Sequence, residues 1–269
     1  MSLGDWGASE GHQRMAASGA LTTMIAPGSL NTKGAWTQIV ASTAFDAAAL
    51  LLTLSVGTTN GSVLVDIGIG AAGTETVLLG NLQARRISSG NNVVQLLLPL
   101  QIPAGSRIAL RYQQTAANVV LGACASVVAA TWNSPATAGR TATHGAVPAS
   151  SSGTVVDPGA SANTKGAWVE LTPATDSDAS WLLLSVMPTG TAINANTAFY
   201  VDVAVGASGA EQIIVPDVPV YVAATVESSM ARVLLPISIP AGSRLAVRMQ
   251  CSATTTPGRE REVVAHLIG

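Results

Sequence analysis

The chain has 269 residues, 13 Lys and Arg against 15 Asp and Glu, a formal net charge of −2 and 48% hydrophobic residues, yet only 10% of it is charged. Sparse, balanced charge lacks the basic footprint that phosphate backbones require, which argues against a nucleic-acid partner, and no run of about 18 apolar residues is present to insert in a membrane. Ordinary soluble domains carry about 25% charged residues, so this surface is expected either to be built from Ser, Thr, Asn, Gln and Ala or to be covered by other subunits.

Residues 1–23, rich in Gly and polar residues, are read as an N-terminal extension or arm that orders on a partner. The arm lacks a basic stretch followed by a strong apolar one, so no Sec signal peptide is expected. The first folded module is placed at 24–132. It contains "NTKGAW" at Asn31–Trp36, "SVLVDIGIG" from Ser62, "VDIGIGAAGTE" from Val65 and "LLLPLQIPAGSRIALRYQ" from Leu96. In the strand from Ser62, Val63, Val65, Ile67 and Ile69 alternate with Leu64, Asp66, Gly68 and Gly70, the period of two that marks a half-buried strand. "NLQARRI" from Asn81 is the one stretch expected to form a short helix. In "IPAGSR" the proline fixes its own φ and the glycine supplies a positive one, which predicts a tight reversal between two strands. Pro99 and Pro103 confine the strand before it to a sheet edge or bend.

Residues 133–155, rich in Ser, Thr, Ala, Gly and Pro, are read as a linker. The second module, 156–269, then repeats the first. "NTKGAW" returns at Asn163–Trp168, "VDVAVGASGAE" at Val201 and "VLLPISIPAGSRLAVRMQ" at Val233. The offset between copies drifts while the blocks stay intact, as happens when loops change length and strands keep register. Each module is of ordinary domain size. Short strands, turn residues and little helical period predict an all-β fold, two tandem antiparallel β-sandwich modules of jelly-roll type. Cys124 and Cys251 are not equivalent in the repeat and are expected to be free, buried thiols.

Catalytic and metal signatures are missing. His12, His144 and His266 fall in the arm, the linker and the last strand, with no HExxH or CxxC spacing and no GxSxG elbow. The glycine-rich "GIGAAGTE" is followed by no helix that would make it a dinucleotide loop. No enzyme activity, no metal and no cofactor are therefore expected. The duplicated polar residues are the candidates for a site. Asp66 and Asp202 stand on the non-core face of one strand, and Arg107 and Arg111, with Arg244 and Arg248, on the outward face of another. Cross-strand ion pairs are the structural expectation, and a polar groove for a sugar is the functional one. Glu75 and Glu211 end the same block and suit a loop role or the rim of such a groove. Trp36 and Trp168 are either core anchors or rings that stack on a pyranose beside Asn and Lys. The speculative glycan contacts are thus Trp36, Trp168, Asp66, Asp202, Arg111 and Arg248.

The blocks "VDIGIGAAGTE" and "LLLPLQIPAGSRIALR", which recur across both modules, resemble those of structural proteins of tailed bacteriophages and phage-like gene transfer agents. The resemblance implies a virion component such as a head spike, fibre, decoration or tail protein, with other virion subunits as partners and contact with host surface polysaccharide. It implies no site residues. A homo-oligomer assembled in the bacterial cytoplasm, without a Sec signal, fits that reading. The alternative is a free or cell-surface carbohydrate-binding protein whose paired modules gain avidity for a repeating glycan.

Overall fold

A computed structural model describes residues 12–15, 23–57, 61–86, 92–129, 140–189, 197–222, 231–254 and 258–269. The chain divides into two compact units: Met1–Arg86 and Gly90–Thr141 with Ile268–Gly269 form the first, and Ala142–Leu267 lie in the second.

The strands of the first unit are β1 (His12–Met15), β2 (Thr23–Ile25), β3 (Pro27–Leu30), β4 (Thr37–Val40), β5 (Ala47–Gly57), β6 (Gly61–Ile69), β7 (Thr76–Arg86), β8 (Asn92–Leu98), β9 (Ile108–Gln114) and β10 (Val120–Ala129). One sheet runs β1-β10-β5-β8, with β2 also on β10. The other runs β3-β9-β6-β7, with β4 also on β9. Taking β2 and β4 as first strands of the two sheets, the orders β2-β10-β5-β8 and β4-β9-β6-β7 are those of an eight-stranded jelly roll. The core follows from alternation. Leu50, Leu52, Leu54 and Val56 of β5 pair with Leu98, Leu96, Val94 and Asn92 of β8 on one side and with Val127, Ala125, Ala123 and Leu121 of β10 on the other. They face Val63, Val65 and Ile67 of β6 and Ile108, Leu110 and Tyr112 of β9, all buried. The one polar tip in this layer is satisfied, since the Tyr112 hydroxyl donates to the Val119 carbonyl at 2.7 Å.

The rest of the chain repeats the pattern. It holds β11 (Thr141–His144), β12 (Ala146–Val147), β13 (Ser152–Val156), β14 (Val169–Thr172), β15 (Ala179–Pro188), β16 (Thr197–Val205), β17 (Gln212–Val222), β18 (Ala231–Ile239), β19 (Leu245–Cys251) and β20 (Arg261–Ile268). Its sheets are β12-β13-β20-β15-β18, with β11 also on β20, and β14-β19-β16-β17. The core is Leu182, Leu184, Val186, Phe199, Val201, Val203, Leu245, Val247, Met249, Val263, Ala265 and Leu267. Two tandem jelly-roll sandwiches are therefore the fold, as the duplicated blocks predict.

Four readings of the sequence change. Residues 140–155, assigned to a linker, carry β11, β12, a single 3-10 turn at Pro148–Ser150 and most of β13. Their Gly, Ser and Thr concealed strands that pair on β20. "NLQARRI" is no helix but the second half of β7, where cross-strand pairing with β6 overrides the helix-forming residues. The arm contributes β1, antiparallel to β10, while residues 1–11 and 16–22 lie outside the described residues. Finally, β6 is buried on both faces from Gly61 to Gly68, so Asp66 and Asp202 are 4% and 2% exposed and do not stand on an open face. Cys124 and Cys251 are free, the first half-buried and the second buried.

Candidate functional site

The duplicated hexapeptide is one half of a joint. Ser106 N–H donates to the Pro103 carbonyl at 3.3 Å, and Gly105 sits at φ +75°, with Gly242 at +76° in the second copy. A side chain at either position is strained, which explains the glycine. The turn is received by a loop that also recurs. Thr43 Oγ1 donates to the Pro103 carbonyl at 2.7 Å and accepts from Ser106 N–H at 3.0 Å, while Asp46 accepts from Ala104 N–H at 2.7 Å. In the second module Thr175 donates to Pro240 at 2.8 Å and accepts from Ser243 at 3.1 Å, and Asp178 accepts from Ala241 at 2.8 Å.

The second joint contains the residues singled out for ligand contact. The "NTKGAW" segment turns at Asn31, φ +54°, and Asn163, φ +56°. It is tied to the neighbouring strand by Gly34 N–H to the Tyr112 carbonyl at 2.9 Å and Gly166 N–H to the Met249 carbonyl at 2.8 Å. Backbone passes so close here that a Cβ on Gly34 would lie 2.7 Å from Gly28 N. The segment thereby becomes a strap across the outer face of the sheet, and it carries the lysine and tryptophan down onto the buried aspartate.

Asp66 Oδ1 accepts from Lys33 Nζ at 2.7 Å and from Asn81 N–H at 2.9 Å, and Oδ2 accepts from Arg111 Nε at 2.9 Å. Lys33 Nζ also donates to the Leu64 carbonyl at 3.0 Å. The Arg111 guanidinium lies 4.4 Å from the ring centroid of Trp36, within cation–π range. The second module reproduces this almost atom for atom. Asp202 accepts from Lys165 at 2.7 Å, from Asp217 N–H at 3.0 Å and from Arg248 Nε at 2.9 Å, and Arg248 lies 4.4 Å from the Trp168 centroid. Burial pushes the Asp202 carboxyl up, but the hydrogen bonds from Lys165, the Asp217 N–H and Arg248 outweigh it and hold the group below the usual carboxylate range. Lys33 is lowered by its burial, with Asp66 opposing and Arg111 reinforcing the shift.

Trp36 and Trp168 are half-buried. A Cβ on Gly68 would meet the Trp36 ring at 2.7 Å, so the indole lies directly on β6. Arg107 and Arg244 form a further repeated bridge. Arg107 donates to Glu75 at 2.6 Å and Gln38 at 2.9 Å, and Arg244 to Glu211 at 3.1 Å and Glu170 at 2.6 Å. Glu75 and Glu211 also accept from Gly73 and Gly209 N–H in their own turns, each at 3.0 Å.

The six sequence candidates thus fall into two equivalent clusters, Trp36–Asp66–Arg111 and Trp168–Asp202–Arg248, in which cross-strand ion pairs satisfy the carboxylates. The sequence reading missed Lys33 and Lys165 as the second cation of each cluster, and Asn81 and Asp217 as left-handed residues that aim their N–H at it. It also missed Thr43, Asp46, Thr175 and Asp178. A signal for those four existed: each pair is 132 residues apart (175 − 43 and 178 − 46), the same offset as "NTKGAW" (163 − 31). A different surface lies at the outer face of β16 and β17, where Tyr200 and Tyr221 are 37% and 61% exposed. Tyr200 is opposite Pro219 and Ala198 opposite Tyr221, so the two tyrosines are diagonal neighbours on one face. The equivalent positions of the first module are Leu64, which is buried, and Arg85, opposite Ser62 and half-buried, so no aromatic ring stands at either.

Among the described residues no group of three or more His, Cys, Asp and Glu side chains is placed to hold a metal ion, and no helix is long and apolar enough to cross a membrane. No protein-family model matches the chain, and no curated protein matches it. Among solved structures it is similar to PNGF-II, with a TM-score of 0.38 and 8% identity over 87% of this chain and 59% of that one. It is similar to the CBM22-1–CBM22-2 tandem domain of Paenibacillus barcinonensis Xyn10C at a TM-score of 0.27 and 12% identity, covering 98% and 94% of the two chains. It is also similar to the infectious bursal disease virus VP2 subviral particle, at 0.26 and 12% over 85% and 58%. The chain spans about three fifths of the length of PNGF-II and of VP2. All three TM-scores are below 0.5.

Proposed function

We propose that the chain is a non-enzymatic structural subunit of a phage or phage-like particle that contacts host surface polysaccharide. The observation that carries this reading is where the charge goes. Of 28 charged side chains (13 + 15), at least twelve among the described residues are engaged in ion pairs inside one module or the other: Lys33, Asp66, Glu75, Arg107, Arg111, Lys165, Glu170, Asp202, Glu211, Asp217, Arg244 and Arg248. Charge in a freely diffusing protein keeps the surface apart from other surfaces. Here it fastens straps and turns, and the outer face of β5, β8 and β10 is left with Leu51, Thr53, Ser55, Val93, Gln95, Leu97, Gly122, Cys124, Ser126 and Val128, none of them charged. A surface of this kind suits a subunit covered by its neighbours. The test is deletion of the gene in a particle-producing strain, followed by electron microscopy and an adsorption assay. Particles that lose a projection or surface layer and adsorb less support the reading. Particles unchanged in appearance and adsorption overturn it.

A carbohydrate-binding protein with paired modules is a second reading, favoured by Tyr200 and Tyr221. Their exposed rings offer stacking faces for sugars, next to Asp217 and Lys165. In that reading Trp36, Trp168, Asp66, Asp202, Arg111 and Arg248 are the framework and polar neighbours of the contact. Tyr200→Ala and Tyr221→Ala then abolish retention on a glycan array, and a chain silent on the array removes this second reading.

A further inference from the structure

The sheet edges of this chain are unequally defended. β17 carries Pro216 and Pro219, β18 carries Pro236 and Arg232, and β3 opens with Pro27. Proline removes the N–H that a neighbouring strand would need. β2, β4 and β14 are no longer than four residues. β7 is long, but its register with β6 shifts twice between Leu82 and Val77, and its Leu78 carbonyl accepts from Thr141 Oγ1 at 2.5 Å. These are the usual devices by which an edge avoids pairing.

β8 has none of them. Asn92–Leu98, "NVVQLLL", contains no proline, glycine or charge, and its register with β5 runs without a shift from Leu98 to Asn92. Among the described residues β5 is its only neighbour in the sheet, so β8 ends the order β1-β10-β5-β8. Val93 and Leu97 are 61% and 49% exposed. An edge strand this regular and apolar is a template for a further strand.

We propose that β8 pairs antiparallel with β8 of a second copy of this chain across a two-fold axis at Gln95, making one continuous sheet from two molecules. The partner follows by elimination: among the described edges of the chain, β8 alone is long, regular and unguarded. Between two copies of this chain, pairing of that one edge with itself gives an isologous, closed contact. Charge agrees, because a two-fold sets like residues against each other across the axis, and the strand and the sheet face beside it carry no charge to repel. With Gln95 opposite Gln95, Val93 of one copy faces Leu97 of the other, an apolar cross-strand pair at each end. The pairing is a property of the isolated chain and does not rest on the particle reading; either can fail alone.

The experiment is light scattering of the purified full chain from about 1 µM to about 1 mM, the range where interfaces of modest area associate. The mass is expected to rise from 27.1 kDa toward twice that value. The double variant Val93→Lys, Leu97→Lys, whose side chains are exposed, is expected to stay at the single-chain mass with an unchanged circular dichroism spectrum. As an independent readout, Q95C in a Cys124→Ser background is expected to give a covalent dimer on mild oxidation. A wild-type chain that remains monomeric throughout, a lysine variant that dimerises as wild type does, or a Q95C chain that never crosslinks would each overturn the proposal.

Discussion

At the scale of single residues, Asp66 and Asp202 are the centres on which each module closes. Each receives two cations and a backbone N–H in a nearly dry setting, so truncating the carboxylate strands buried positive charge. Asp66→Ala and Asp202→Ala are each expected to lose about 3–5 kcal/mol of unfolding free energy, read from the midpoint shift in urea. A change within about 0.5 kcal/mol, as at ordinary surface sites, would show the clasps to be decorative. The depressed Asp202 pKa fixes the sign of one pH effect: its contribution is present above the unfolded value and is lost as pH falls through the lower folded value. His266 acts in the same direction at higher pH. Burial, reinforced by Arg232 and His144, pushes its imidazole down to about 3 from 6.5, so it is neutral when folded and takes up a proton on unfolding in between. Stability is therefore expected to decline as pH drops below about 6.5 and to go on declining toward 3. Replacing His266 with Gln should flatten the upper part of that decline in pH-dependent melting, and an unchanged profile would contradict the assignment.

At the scale of elements, the joint between "PAGS" and the Thr43–Asp46 loop predicts that Gly105→Ala and Gly242→Ala cost about 1 kcal/mol each through the positive φ alone. Thr43→Val should cost a further loss of the same order by removing the shorter hydrogen bonds of the Ser106 N–H and the Pro103 carbonyl, which keep only their long mutual bond at 3.3 Å. Equal losses in both modules would show that the joint does the same work twice; a loss in one only would separate their roles. Much at this scale is legible from the residues. Alternation in "SVLVDIGIG" and "RIALRYQ" identifies β6 and β9, Pro99 just past the end of β8 and Pro236 within β18 mark these two as edge strands, and the repeat doubles every inference. What alternation cannot report is a second covering layer. Asp66 reads as outward-facing because its strand alternates, and only the strap at Asn31–Trp36, about 30 residues away in the chain, encloses it. The strands at 141–156 escaped because Ser, Thr and Gly fill them, and β7 because Gln, Ala and Arg form helices readily where no sheet competes.

At the scale of the whole molecule, duplication has preserved the clasps and changed the surfaces. Both modules keep the Lys–Asp–Arg–Trp cluster, whereas only the second exposes Tyr200 and Tyr221, and only the first leaves an apolar edge strand without proline. In the proposed reading, the altered edge of the first module serves contact with a second copy and the tyrosines of the second module serve contact with a ligand. The most direct measurement is quantitative mass spectrometry of particles purified on a density gradient from cells that encode this chain. The chain is expected to sediment with the major coat protein at a fixed ratio that survives a second gradient. Finding it only in the slowly sedimenting soluble fraction, with none above background in the particles, would rule out a role as a particle subunit.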